Sequence, residues 1–204
     1  MASLQRHHYK TGERITLGPD SVLEVLSGVV ALTILHEDGA EVLLGLLGPG
    51  QVLAGHPKET SCLQLHALGE TAVWVQPWSK AVLQPGFADR LRERLWSLEA
   101  WAAMQARPSL ERRLFGILSL LAEQFGRPTS EGVRIEVGIT HTQLASAVGA
   151  TRSTVTRLLG RLRRRGLLIA VRHGRGERYC LPPPKGREGP ERCDPAPVHR
   201  HVVL

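Results

Sequence analysis

Between Tyr9 and Val82 the apolar residues fall in short runs: Val22–Leu26, Val29–Leu35, Val42–Leu47 and Ala72–Val75. Each run is closed by turn-forming residues: Gly12-Glu13, Gly18-Pro19-Asp20, Asp38-Gly39 and Gly48-Pro49-Gly50. Runs of this length between glycines and prolines predict strands, and Asp-Gly between two of them predicts a tight hairpin. Many short strands joined by Gly-rich turns predict a β-roll or small barrel over residues 1–84.

After Pro85-Gly86 the period changes. Leu91, Leu95, Leu98, Ala102 and Gln105 follow one another in steps of four and three. That spacing predicts a helix within residues 85–107, about 20 residues and roughly 30 Å long, with a narrow apolar seam suited to a partner helix. Packing on its own β domain is the alternative use of the seam. Arg90, Arg92, Glu93, Arg94 and Glu99 are expected on the other faces. Pro108 ends this helix, and Ser109 is placed to cap the next. The buried face of that helix would carry Leu114, Ile117, Leu118, Leu121 and Phe125. Gly126, Pro128 and Gly132 break the chain before a short strand over Val133–Val137. From Pro182 onward Pro, Gly and charged residues predict a disordered tail, residues 182–204.

The densest signal lies in residues 139–168, ITHTQLASAVGATRSTVTRLLGRLRRRGLL. Thr140 can cap a helix through Val148, and Gly149 permits a tight turn. Ala145 is small where two helices must cross. A second helix is predicted to start near Thr151. On it Val155, Leu158, Leu159 and Leu162 share one side at 100° per residue, and Arg152, Ser153, Thr156, Arg157, Gly160 and Arg164 share the other. The first side packs. The second can enter a major groove, where arginines donate in pairs to guanine O6 and N7. Ala170–Leu181 then reads as two strands around a Gly-rich, arginine-studded turn, a wing whose tip, Arg175, would meet phosphate. Together these elements predict a winged helix-turn-helix over residues 108–181. Thr140, Thr142, Arg152, Ser153, Thr156, Arg157, Arg161, Arg164 and Arg175 are its candidate DNA contacts. A helical hairpin with a merely solvated arginine face is the plainer alternative.

Charge reinforces the choice. Residues 152–178 contain nine arginines and one acid, so this segment carries +8 against a formal net charge of +7 for the chain, which leaves −1 for everything else. A cluster so nearly pure in arginine points to a polyanion, namely double-stranded DNA. No stretch approaches the roughly 20 apolar residues that span a bilayer. Met1–Arg14 lacks the apolar centre of a secretory signal, so a cytoplasmic location away from membranes is expected. Cys62, Cys180 and Cys193 show no paired spacing, which predicts reduced thiols and no zinc site.

With these motifs in place the chain resembles the cyclic-AMP receptor protein/FNR family of bacterial transcription regulators. TGERITLGPD, LSGVVAL, HEDGAEVLL and LGPGQVL are similar to the family's β-roll sensor, and ERRLFGILSLLAEQFG to the helix after its dimerisation helix. The segment FGRPTSEGVRIEVGITHTQLASAVGATRSTVTRLLGRLR resembles the cyanobacterial nitrogen-control branch, whose members bind 2-oxoglutarate. The resemblance implies an α+β protein: a cyclic-nucleotide-binding-like roll, a long dimerisation helix and a C-terminal winged helix-turn-helix. It also implies a homodimer on a palindromic operator, with RNA polymerase as a further partner and a small-molecule effector. The seam Leu91, Leu95, Leu98 and Ala102 would hold the dimer. The operator-reading positions fall on Arg152, Ser153 and Arg157, with Ser153 where the cyclic-AMP-binding members carry glutamate.

The sensor departs from the cyclic-nucleotide pattern. Where a Gly-Glu pair would hold the ribose, Gly55 is followed by His56. Where an Arg-Ser pair would hold the cyclic phosphate, Ser61-Cys62 stands. Loss of that charged partner removes about 1.5–3 kcal/mol and argues against cyclic AMP. Arg107 is the candidate partner for a carboxylate of 2-oxoglutarate. Gly55, His56, Ser61, Cys62 and Arg107 are therefore the candidate effector residues. An effector-independent or nucleoid-type DNA-binding protein is the second reading. A cupin-like metalloenzyme using His36, His56 and His66 is the third, but it lacks the His-x-His pair with a downstream carboxylate. His56, Cys62 and His66 also fall close together, without metal-ligand spacing, and no metal is expected.

Overall fold

Apolar runs mark four strands of the N-terminal half, and among its described residues there are eight. The computed structural model describes residues 5–55, 63–173 and 176–183. The strands are β1 (Gln5–Tyr9), β2 (Arg14–Ile15), β3 (Ser21–Ser27), β4 (Val30–Leu35), β5 (Glu41–Leu47), β6 (Val52–Ala54), β7 (Leu63–Ala67) and β8 (Thr71–Pro77). They form two antiparallel four-stranded sheets, ordered β1-β8-β3-β6 and β2-β7-β4-β5. Alternate residues face inward. Leu23, Val25 and Val73 of the first sheet meet Ile15, Val30, Leu32, Leu47, Leu65 and Ala67 of the second in one core. The Asp38-Gly39 hairpin forms as expected: Leu35 pairs with Glu41, Asp38 Oδ1 accepts from Ala40 N, and Gly39 takes φ +81°.

A short helix, α1 (Trp78–Ala81), leads into α2 (Phe87–Gln105). This long helix has two apolar aspects. Phe87 and Trp101 are buried toward the roll, whereas Leu95, Trp96 and Leu98 remain 55, 51 and 38 % exposed. Leu91 sits between them, half-buried against Val22, Val52, Ala81 and Phe87. Two expectations are corrected. Arg94 is not on a solvated face; it lies on the same inner side as Phe87 and Trp101, and only 6 % of it is exposed. Gln105 does not end the seam, because its Nε2 turns inward and donates to the carbonyls of Leu43 and Ala147, both at 3.1 Å.

The C-terminal half contains α3 (Leu110–Phe125), β9 (Gly126–Thr129), β10 (Gly132–Ile135), α4 (His141–Val148), α5 (Arg152–Arg164), β11 (Ile169–His173) and β12 (Gly176–Leu181). Its sheet is ordered β11-β12-β10-β9. Gly126 and Pro128, expected to break the chain, belong instead to β9. Proline is tolerated there because β9 is an edge strand. Ser109 is the N-cap of α3 without a side-chain hydrogen bond; its carbonyl accepts from Arg113 N.

One buried cluster runs through both halves. Ala31, Leu43 and Leu46 of the roll and Trp101 of α2 pack with Leu114, Leu118, Leu144, Val148, Leu159 and Tyr179.

Candidate nucleic-acid interface

The local chemistry of α4 and α5 accounts for their boundaries. Thr140 Oγ1 accepts from Gln143 N at 3.1 Å, and Gln143 Oε1 accepts from Thr140 N at 2.9 Å, a reciprocal capping box. Gly149 ends α4 at φ +68°, a conformation that disfavours a side chain. Ala145, at the crossing, is buried. Thr151 caps α5 by accepting from Thr154 N at 3.2 Å.

Val155, Leu158, Leu159 and Leu162 are all buried, and Arg152, Ser153, Thr156, Arg157, Arg161 and Arg164 are all exposed. Thr140 and Thr142, at the start of α4, are exposed as well. The exposed side of α5 is not uniform. Thr156 Oγ1 donates to the Arg152 carbonyl and lies 2.9 Å from His141 Nδ1. Arg157 Nη2 lies 3.5 Å from Thr154 Oγ1, at the limit of a hydrogen bond. Arg161 sits at the margin: its Nη1 donates to Glu111 Oε2 at 3.2 Å, and Arg165 Nη1 donates to the other oxygen of the same carboxylate. Glu111 of α3 thus holds two of the cluster's guanidinium groups beside the helix rather than in front of it.

The β11–β12 hairpin pairs in register from Ile169–Cys180 to His173–Gly176. Its tip, with Arg175, lies outside the described residues. At its root Glu136 accepts from Arg134 Nε at 2.7 Å and from Arg178 Nη1. The hydrogen bond from Arg134 and then the charges of Arg134, Arg178 and Arg127 hold this carboxyl below its ordinary range, against the opposing effect of desolvation. Arg134 and Arg178 thus share the single carboxylate of Glu136.

Two positions that matter here lack a sequence signal of their own. His141, at the first position of α4, reaches α5 through Thr156, and a histidine after an N-cap carries no motif. Ser146, on the same helix, donates to the Glu41 carbonyl at 2.6 Å and accepts from Leu43 N at 2.8 Å. With Gln105 it closes the edge of β5. A third link runs from Gln124 Nε2 to the Leu46 carbonyl at 3.2 Å.

In the roll, Gly55 N donates to the Ser21 carbonyl at 2.8 Å, and a Cβ at position 55 would come 1.9 Å from the Gly18 carbonyl oxygen. The glycine is required by the turn that crosses it. His56, Ser61 and Cys62 lie outside the described residues. Arg107 follows the end of α2; its carbonyl accepts from Arg113 Nε, which fixes the link to α3. Gly55 and Arg107 are thus held by separate elements. Among the described residues no group of three or more His, Cys, Asp or Glu side chains could hold a metal ion, and no helix is long and apolar enough to cross a membrane.

A family model described as "Crp-like helix-turn-helix domain" matches residues 112–184. The chain is 32% identical over 166 residues to the regulatory protein CysR of Synechococcus elongatus, covering 78% of each. It is 29% identical over 184 residues to the global nitrogen regulator of the same organism, covering 82% of each. Among solved structures, a CRP/FNR-family transcriptional regulator from Thermus thermophilus superposes with a TM-score of 0.66 at 26% identity, over 87% of this chain and 93% of that one.

Proposed function

This chain belongs to the CRP/FNR family of transcriptional regulators, and on that premise we propose that it reads a two-fold-symmetric operator as a homodimer. The family membership sets aside the metalloenzyme reading. The observation that carries the proposal is the single exposed side of α5, where Arg152, Ser153, Thr156, Arg157 and Arg164 stand together opposite a fully buried apolar side. In a dimer joined through Leu91, Leu95, Leu98 and Ala102, two such helices would enter successive major grooves about 34 Å apart. Arg152, Ser153 and Arg157 read base edges. Thr140 and Thr142, with Arg161, Arg164 and Arg175, serve the phosphates. RNA polymerase is the partner through which a bound dimer would change transcription.

The roll carries a small-molecule effector that biases the placement of the helix-turn-helix. Cyclic AMP is not that effector, because the Gly-Glu and Arg-Ser positions are Gly55-His56 and Ser61-Cys62. 2-Oxoglutarate is the first molecule to test.

Selection of bound duplexes from a random library tests the reading. The expected enrichment is an inverted repeat with half-site centres about one helical turn apart. Enrichment without two-fold symmetry, or binding equal on all duplexes, would favour the nucleoid-type alternative instead.

A further inference from the structure

Thr156 stands on the exposed side of α5 with Arg152 and Arg157, yet its hydroxyl is engaged by the protein. Oγ1 donates to the Arg152 carbonyl, one turn back, at 2.9 Å. The same oxygen lies 2.9 Å from Nδ1 of His141, on α4. A threonine hydroxyl has a single proton. Because the Arg152 carbonyl takes that proton, the second contact runs the other way, with the Nδ1–H of His141 donating to Oγ1.

The two bonds have different consequences. A helical threonine reaches a carbonyl of the preceding turn from either of two χ1 rotamers, so the bond to Arg152 alone leaves the side chain a choice. The bond from His141 selects between them, because it draws Oγ1 toward α4. His141 is itself held in place. It is half-buried and directly follows Thr140, whose reciprocal bonds with Gln143 fix the start of α4.

We infer that His141 is a positioning residue that sets Thr156 to present its γ-methyl, rather than its hydroxyl, to the 5-methyl of a thymine in each half-site. With Oγ1 turned along the helix and toward α4, the methyl is the group left for the groove. Thymine is the base with a methyl on its major-groove edge, and apolar contact is how that methyl is read. The inference rests on the operator reading above and adds a base preference to it. The neighbours divide the work: Arg152 and Arg157 offer donors suited to guanine, and Thr156, whose one proton is committed, offers an apolar surface.

The test uses the full-length protein and the selected operator in fluorescence anisotropy titrations. Each thymine of the half-site is replaced in turn, in both half-sites, by deoxyuridine, which removes the 5-methyl and leaves the pairing edge intact. At one position the wild type should bind about 15-fold more weakly, or about 4-fold for each of the two methyls. Thr156→Ser keeps the hydroxyl and loses the methyl, and it should bind the thymine and uracil duplexes alike. Thr156→Val keeps a methyl without the hydroxyl, and it should retain the thymine preference. His141→Ala frees the second rotamer and should cut that preference to about 6-fold, with the two rotamers shared equally in each subunit. His141→Asn, whose amide N–H can replace Nδ1–H, should restore it. In a Thr156→Val background, His141→Ala should leave the preference unchanged, because there is no hydroxyl to hold. The inference is overturned if Thr156→Ser keeps the preference, if Thr156→Val loses it, or if His141→Ala lowers affinity for both duplexes by the same factor. Equal binding to all duplexes removes the operator reading as well. An inverted-repeat preference in which no thymine depends on residue 156 removes this inference alone.

Discussion

The hydroxyl of Ser146, on the first helix of the helix-turn-helix, donates to the backbone carbonyl of Glu41 on the edge strand of the roll at 2.6 Å. It also accepts from Leu43 N, so one side chain satisfies two edge groups that would otherwise lack partners in the strand. Ser146→Ala is expected to cost about 1–3 kcal/mol in urea unfolding, because both groups lose their partner at once. Amide exchange at Leu43 should speed up in parallel. Unchanged exchange there would show that the contact does not hold the two halves together.

Arg157 and Arg161 are both exposed, yet they are expected to behave differently. Arg157 is almost unengaged, and Arg157→Ala should cost about 1–3 kcal/mol on the selected operator and much less on random DNA. Arg161 is tied to Glu111, so Arg161→Ala should cost less and should cost it on both DNAs. Fluorescence anisotropy with both duplexes checks the pair. Equal losses on both DNAs for Arg157→Ala would mean that the reading face of α5 is rotated.

Glu111 restrains two guanidinium groups, Arg161 and Arg165. Glu111→Gln should release them toward phosphate. The slope of log affinity against log salt should then steepen by up to about two contacts, with non-specific binding gaining most. A slope identical to wild type would show that neither arginine can reach the backbone.

The outer side of α2 exposes Leu95 and Leu98 in the single chain. Replacing both with glutamate should give monomers by light scattering, with the roll still folded by circular dichroism. Tight operator binding should be lost with the dimer. A double variant that stays dimeric would place the interface elsewhere.

Glu136 sets an acid-side limit on the wing. Its folded pKa lies below the usual carboxylate range, chiefly through the Arg134 hydrogen bond. Its contribution to stability is therefore present above the unfolded pKa and is lost as pH falls through the lower folded one. Glu136→Gln should melt below wild type at neutral pH, and the gap should narrow from about pH 5 downward. A gap that is constant with pH would mean that packing, not charge, accounts for the difference.

The helix-turn-helix is legible in the chain because its signals are local: Thr140 and Thr151 as caps, Gly149 at a positive φ, and leucines at helical spacing. Half the strands of the roll are not. β2 and β6 are two and three residues long, too short to show a period, and QRHHY of β1 looks like a polar leader until Val73 and its neighbours on β8 pair with it. β9 is hidden by Gly126 and Pro128, which a chain reading treats as breaks and an edge strand accommodates. Arg94 escapes for a different reason. A charged residue on an amphipathic helix is assigned to water by default, and only the packed structure shows it turned inward. The polar joint made by Ser146, Gln105 and Gln124 depends on contacts between distant segments, which local spacing does not encode.

The cluster that runs from Ala31, Leu43 and Leu46 through Trp101 to Leu144 and Tyr179 limits how such a protein can diversify. Were the two halves joined only by a tether, lineages could trade one sensor for another and keep the reader unchanged. Here a transplanted reader would arrive with half of a hydrophobic surface and no matching β5 edge. Change at this seam must therefore be reciprocal, each substitution on the strand meeting one on α4 or α3. New ligands are more easily acquired by altering the roll behind the seam than by exchanging whole domains.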